Sequence, residues 1–376
     1  MADVFEGILG QPQVREFLRS TIEHDRVSHA YLFTGPAGSN KTAAAYAFAQ
    51  AVICAKRGCG TCDECRRVKR RNHPDVRYYA PAGAHGYLVE QVREIVADAS
   101  MAPIRAKHKV YILDRVDQLG VQAANAFLKT LEEPEGPIIF ILLGRTREGV
   151  LPTLVSRCQV VPFRHIPASE AAGILSQNTG VSAERARIAI EACDGSLTKA
   201  IAFASSSERM SFRSRIMEVL RLLPQSDERD VLEYAQDLLE RAKAPLDEVR
   251  TAQAEELADS QDFLAASALK QLEARNKRAL SAATVQSLGQ MTSIIRSWLR
   301  DVLMVVSGAP ERVVNVDEID SIRLVAQNAT PALLMDALRQ TQKADEAIRY
   351  NVSPETCIDV LLFTIRKAIY GSGCSY

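Results

Sequence analysis

The chain has 376 residues, 47% of them apolar and 24% charged, with Lys plus Arg and Asp plus Glu balanced at 46 each. That length fits two or three domains with filled cores, and the zero net charge excludes a global field that would drive the chain onto nucleic acid or an anionic membrane, so any DNA contact is local or shared with partners. No stretch approaches the ~18 apolar residues of a spanning helix. The opening MADVFEGILGQ has neither the basic nor the apolar segment of a leader, which makes the cytoplasm the expected compartment.

The first half alternates strand and helix signals. His29 to Thr34 (HAYLFT) is a short apolar run, and Lys41 to Cys54 is rich in helix formers. Val110 to Leu113 (VYIL) and Ile138 to Leu143 (IIFILL) are uninterrupted apolar runs, as expected of strands buried on both faces. Val121 to Glu133 is helical in pattern and stops at Pro134. Such alternation predicts a parallel sheet between helices, with the chemistry gathered at the sheet's carboxyl edge.

Between the first strand and its helix lies Gly35-Pro36-Ala37-Gly38-Ser39-Asn40-Lys41-Thr42. A phosphate loop reads Gly-x4-Gly-Lys-Ser/Thr, because backbone N–H groups and the following helix N-terminus cradle phosphates, the lysine reaches the terminal phosphate, and the hydroxyl ligates magnesium. Seven of the eight positions conform, and Asn40 departs. Asparagine tolerates positive φ better than most residues, so the loop shape is expected to survive with weakened nucleotide binding.

Cys54, Cys59, Cys62 and Cys65 have the spacing C-x4-C-x2-C-x2-C, with Gly58 and Gly60 for tight turning. Four thiolates so close can converge on a structural zinc ion, with an iron–sulfur cluster or four buried thiols as alternatives. Arg66-Arg67-Val68-Lys69-Arg70-Arg71 follows, read as a solvated helix face in preference to a nucleic-acid contact.

Further on, Asp114 closes the VYIL strand where a carboxylate can hold a magnesium shell. Arg115 comes next, where ATP hydrolysis wants a carboxylate, and a guanidinium neither orients nor deprotonates water. Asp117, two positions further on, is the candidate substitute but is expected to point elsewhere on the following turn, so catalytic turnover is expected to be crippled. In Ser156-Arg157-Cys158, Arg157 closes a short helix from which a planar cation can reach a neighbouring subunit's nucleotide; pairing with a surface carboxylate is the competing account.

After about Pro167 nearly every segment reads as helix, broken at Asp194-Gly195-Ser196 and Leu223-Pro224-Gln225-Ser226. Ile295, Trp298, Leu299, Val302 and Leu303 form one apolar stripe, expected to be bundle core. Ser353-Pro354 opens a last helix through Leu361 and Ile365. Cys374 lies in a tail to which no role is assigned.

Taken together, Phe5 to Gln11, the altered phosphate loop, the four-cysteine insertion, His73-Pro74-Asp75, Gln91 to Ile95, Ala123 to Pro134, and Leu151-Pro152-Thr153 running into Ser156 to Gln159 resemble the bacterial clamp-loader AAA+ family. Its members are the gamma/tau and delta-prime subunits of DNA polymerase III. Arg115, Asn40, and Lys199 after Gly195-Ser196-Leu197-Thr198 bring the chain nearer to delta-prime than to the motor subunit. The resemblance implies an α/β P-loop AAA+ domain over 1–166 with a zinc module at 54–65, a small helical lid over 167–207, and an all-α collar over 208–376. It further implies a largely non-hydrolysing stator in a five-subunit ring with gamma/tau and delta, which loads a sliding clamp on primed DNA. Arg157 would be its arginine finger, acting in trans. Zinc would be structural, while ATP and magnesium at Gly35 to Thr42 and Asp114 are put in doubt by Asn40. The alternatives are a gamma/tau-like motor, a DNA-binding zinc module, and an unrelated AAA+ loader or remodeller.

Overall fold

Apolar strands that cannot present polar groups to water on either face must be covered twice, and the fold of the first half follows from that. The protein is described by a computed structural model over residues 3–83, 86–244, 246, 247, 250, 251, 253, 254, 257, 266–350 and 352–370. Cys374 and its tail lie outside the described residues.

The strands are β1 (Ala30–Thr34), β2 (Val76–Tyr79), β3 (Lys109–Leu113), β4 (Ile138–Gly144) and β5 (Gln159–Pro162). They form one sheet in the order β2-β3-β4-β1-β5, with every neighbouring pair parallel. Every residue of the three inner strands is buried, while the edge strands β2 and β5 carry exposed positions.

Alternate side chains divide the sheet into two faces. On one, Tyr31, Phe33, Val110, Ile112, Ile139 and Ile141 pack with α1 (Pro12–Glu23) and α2 (Lys41–Ile53). On the other, Leu32, Tyr111, Leu113, Phe140 and Leu142 meet α4 (Val89–Ala99) and α5 (Val121–Glu132). There Phe127 packs edge-on to Phe140 with ring centroids 4.9 Å apart. Two short helices follow, α3 (Asp63–Lys69), which carries Cys65 of the cysteine cluster, and α6 (Pro152–Val155), which leads to Arg157.

The remainder is helical: α7 (Ala168–Thr179), α8 (Ala183–Ala192), α9 (Leu197–Ala204), α10 (Ser207–Leu222), α11 (Glu228–Lys243), α12 (Ala266–Val306), α13 (Ile319–Ala326), α14 (Pro331–Arg349) and α15 (Pro354–Tyr370). Two compact units result, one of residues 1–178 with 195–199, the other of 179–194 with 200–376. In the second unit Ile295, Trp298, Leu299 and Val302 of the predicted stripe are buried, with Leu303 half-buried at its margin. Asp301 is fully buried beside them and accepts from the N–H groups of Val314 at 3.0 Å and Asn315 at 2.7 Å. No helix among the described residues is long and apolar enough to cross a membrane.

One buried acid fixes the start of β2. Asp75 accepts from the N–H groups of Ile104 at 2.7 Å and of Arg105 and Ala106 at 2.8 Å, tying the loop ahead of β3 to the strand beside it. Burial pushes its carboxyl up, but those three donors outweigh it and hold the group below its ordinary value. A carboxylate depressed in the folded state contributes stability that is complete above the unfolded value of ~3.9 and fades as pH falls through the folded one. Asp75→Asn is therefore expected to cost about 1–3 kcal/mol at neutral pH. Urea unfolding at a series of pH values should show that deficit narrowing below pH ~4.

Candidate functional site

The loop from Gly35 to Thr42 leaves the carboxyl end of β1 and enters α2, as a phosphate loop requires. Gly38 has φ of +79°, and a Cβ there would stand 2.8 Å from the carbonyl oxygen of Gly195, so glycine is the residue that fits. Asn40 adopts the left-handed conformation that glycine would take, with φ 65° and ψ 21°. Its side chain is buried and held at both ends: Nδ2 donates to the Leu9 carbonyl at 2.9 Å, and Oδ1 accepts from the Thr198 hydroxyl at 2.9 Å.

Lys41 folds back over its own loop. Its Nζ donates to the carbonyls of Gly35 at 2.6 Å and Pro36 at 2.8 Å, and to Ser39 Oγ at 3.3 Å. Burial pulls the ammonium down to about 8, against the raising fields of Asp114 and Asp117. Ser39 Oγ donates to the Pro36 carbonyl at 2.8 Å. So arranged, the lysine rests on loop carbonyls and the asparagine bridges across, and both sets of contacts would have to be given up before the loop could cradle a triphosphate.

Two residues whose roles the sequence did not disclose complete the loop's frame. Gln11 is buried; its Nε2 donates to the carbonyls of Ser39 at 3.2 Å and Arg164 at 2.8 Å, and its Oε1 accepts from Arg164 N–H at 3.1 Å. Thr198 sits 158 positions from Asn40, and nothing in the local pattern of either residue announces their contact.

Asp114 ends β3 at the same carboxyl edge. The Tyr78 hydroxyl donates to its Oδ2 at 2.9 Å, and Arg115 Nε stands 3.9 Å from the same oxygen. Burial and the adjacent carboxylate push the Tyr78 hydroxyl up, so it remains a donor. Arg115 adopts φ 49° and ψ 50°, facing Asp114 as a counter-ion. Asp117 corrects the expectation that it points away. The tight turn Val116–Gln118 brings it round, so that its field acts on Lys41 and its Oδ1 accepts from Arg145 N–H at 3.3 Å.

The cysteines converge as their spacing predicts. The sulfur atoms of Cys54, Cys59, Cys62 and Cys65 all lie within 4.8 Å of one another. Cys54 Sγ is 3.7 Å from Cys59 Sγ and 3.6 Å from Cys62 Sγ. Tetrahedral thiolates at ~2.3 Å from a zinc ion would be about 3.8 Å apart, so the donor set and its spacing fit a closed four-sulfur metal site. Backbone N–H groups of Thr61 and Cys62 pull the Cys59 thiol down to about 6, while burial pushes the Cys62 and Cys65 thiols up. Within the basic run after the cluster, Arg66, Lys69, Arg70 and Arg71 are exposed. Arg67 pairs with Asp63 at 2.8 Å, and Arg71 lies 4.9 Å over the Tyr46 ring.

Arg157 follows α6, partly exposed, with its guanidinium turned onto its own chain. Nε donates to Glu132 Oε1 at 2.7 Å, with Nη2 on the same oxygen, while Nη1 donates to the Thr153 carbonyl at 2.8 Å and Ser156 Oγ at 3.2 Å. Pairing with a surface carboxylate is thus what this chain by itself displays. Burial pushes the neighbouring Cys158 thiol up to about 12, so it adds no charge beside the arginine.

A five-stranded parallel sheet with a phosphate-type loop after β1 and an acid after β3 defines an α/β P-loop fold of the AAA+ class. Two family models match the chain, "DNA polymerase III, delta subunit" over residues 10–167 and "DNA polymerase III, delta subunit, C terminal" over residues 255–363. The chain belongs to this family of DNA polymerase III subunits. It is 31% identical over 219 residues to the subunit delta' of Bacillus subtilis, covering 57% of this chain and 65% of that one. With the tau subunit of the same organism it shares 34% identity over 226 residues, covering 57% of this chain and 39% of that one. The chain thus spans less than two thirds of the length of either relative. Among solved structures, a gamma subunit-related protein from Thermotoga maritima aligns over 95% of this chain and 99% of its own at 18% identity, with a TM-score of 0.42.

The charge arrangement at the sheet edge is open to a direct check. Because Asp114 raises the Lys41 ammonium against the effect of burial, Asp114→Asn is expected to lower it below about 8. Labelling of Lys41 by an amine-reactive reagent near pH 7, followed by peptide mass spectrometry, should then speed up by about two- to tenfold.

Proposed function

We propose that this chain is a delta-prime-like subunit of a DNA polymerase III clamp loader, a stator that takes part in loading a sliding clamp on primed DNA and donates Arg157 to a neighbouring subunit's ATP. The observation that carries the reading is the engagement of Asn40 and Lys41 by the chain's own atoms, beside Asp114 followed by an arginine. A site so arranged is poorly suited to hydrolyse nucleotide, while Arg157 stands just after a short helix, partly exposed and joined to its counter-ion by a partly exposed pair. In this reading residues 1–166 form the AAA+ domain, 167–207 its lid, and 208–376 the collar that joins gamma/tau and delta subunits in a ring of five. The cytoplasm is its compartment.

A gamma/tau-like motor is the second reading, favoured by Lys41, Thr42 and Asp114 standing at one sheet edge and by the 34% identity to a tau subunit. The two differ in what a reconstituted ring does. Under the stator reading, Arg157→Ala in this subunit lowers clamp-dependent turnover at the adjacent site at least about tenfold, since an arginine finger contributes ~10³ or more where it has been measured. Lys41→Ala leaves the rate unchanged. An unaltered rate in the first variant, with a loss in the second, would establish the motor instead.

The cysteine cluster is assigned one structural zinc per chain. Four thiolate ligands leave no open coordination position, so the ion holds the α2–α3 connection and supplies no reaction chemistry. Elemental analysis of protein purified without chelator is expected to give about one zinc per chain. Stripping it, or Cys65→Ser, should lower the thermal midpoint. Metal-free protein of undiminished stability would refute the assignment.

A further inference from the structure

The departure of the phosphate loop from its pattern has a geometry that a weakened site does not require. Asn40 does more than occupy a glycine's place. Its amide nitrogen reaches back to the Leu9 carbonyl, and its amide oxygen receives the Thr198 hydroxyl, both at 2.9 Å. Glycine can make neither bond. The segment that Thr198 belongs to also lies close at Gly38, which leaves no room for a Cβ against the Gly195 carbonyl. Residues 195–199 group with the first unit, whereas the residues on either side of them, 179–194 and 200 onward, group with the second. Residues 195–199 are therefore held on the phosphate loop within the first unit.

We infer that Asn40 and Thr198 form a clasp that closes residues 195–199 over the phosphate loop, doing with side-chain hydrogen bonds what a bound nucleoside triphosphate would otherwise do, and that this pair determines whether nucleotide enters. The inference rests on the stator reading and supplies its cause. A triphosphate has to displace the clasp before the loop's N–H groups can receive it. Two hydrogen bonds of ordinary net strength correspond to about 10- to 100-fold in affinity. Two explanations of Asn40 then separate. If its bulk alone obstructs the phosphates, Thr198 is irrelevant; if the clasp obstructs them, Thr198 matters as long as Asn40 is present.

Calorimetric titration of the full chain with Mg-ATP decides between them, using Asn40→Gly, Thr198→Ala and the double variant. Asn40→Gly restores the ordinary loop sequence and relieves the positive-φ asparagine, so it is expected to fold. Thr198 is exposed overall, so Thr198→Ala leaves the core untouched. The clasp predicts affinity at least about tenfold above wild type for Asn40→Gly, a smaller rise for Thr198→Ala, and no additional rise in the double variant. A gain confined to Asn40→Gly, with Thr198→Ala equal to wild type, overturns the clasp in favour of simple obstruction. So does an additive double variant, or wild-type protein that binds Mg-ATP as tightly as Asn40→Gly. None of these outcomes touches the Arg157 assay in the ring, so the clasp can fail while the stator reading stands, and the reverse.

Discussion

Three adjoining strands buried on both faces impose the constraint on which the first unit depends. Along β1, β3 and β4 every residue is buried, and burying an unpaired polar group there would cost several kcal/mol. Polar chemistry is thereby pushed to where the strands end. Parallel pairing sends all the carboxyl ends to one edge, so the loop after β1, Asp114 after β3 and Arg145 after β4 arrive together although more than a hundred positions separate the first from the last. The field of Asp114 and Asp117 on Lys41 is a consequence of this convergence and of the burial that weakens competing solvent.

The cysteine cluster is tied to that edge by more than its position in the chain. Glu64, between two of the cysteines, pairs with the buried His73 at 2.5 Å and with Arg105 at 2.9 Å. Arg105 in turn lends its backbone N–H to Asp75. On the other flank Arg71 covers Tyr46 of α2, Tyr46 stacks on Tyr78 of β2 with centroids 6.2 Å apart, and the Tyr78 hydroxyl holds Asp114. Closing the four thiolates around an ion would restrict α3, and through these contacts the start of β2 and the orientation of Asp114. A module with no open coordination position can still bear on the site by holding its supports still.

How much of this could be read in advance depended on the range of the interaction. The three inner strands, the helix after the loop and the convergence of Cys54, Cys59, Cys62 and Cys65 follow from local composition and short spacing, and the structure has all of them, whereas the edge strands β2 and β5 were not read. The left-handed conformation of Asn40 was legible too, because it depends on the residue's own sterics. What Asn40 holds was not: Leu9 and Thr198 are 31 and 158 positions away, and hydrogen bonds across such intervals have no periodicity. Tyr78 stayed hidden for the related reason that its reach to Asp114 requires knowing that β2 lies beside β3. Asp117 departs from expectation because of the backbone just before it. The left-handed Arg115 and the tight turn after it return the chain towards the site.

Arg157 and Glu132 show how a charged group can be ordered without being locked. Two N–H donors to Glu132, with the Thr153 carbonyl and Ser156 Oγ as further acceptors, fix the guanidinium plane, which limits the rotamer freedom a long side chain would otherwise lose on meeting a new partner. The pair is part-exposed, with side chains 30% and 47% accessible, so water competes for both ions and its net worth is only about 0.2–1 kcal/mol. A phosphate in a water-excluded interface would offer bidentate, charge-assisted bonds roughly twice as strong as neutral ones. In the proposed role the exchange therefore runs downhill only when a neighbouring subunit excludes water and brings the phosphate within reach. In that role, exposure of the Glu132 pair would make Arg157 responsive to assembly, since a fully buried pair would resist exchange by the cost of leaving one charge alone.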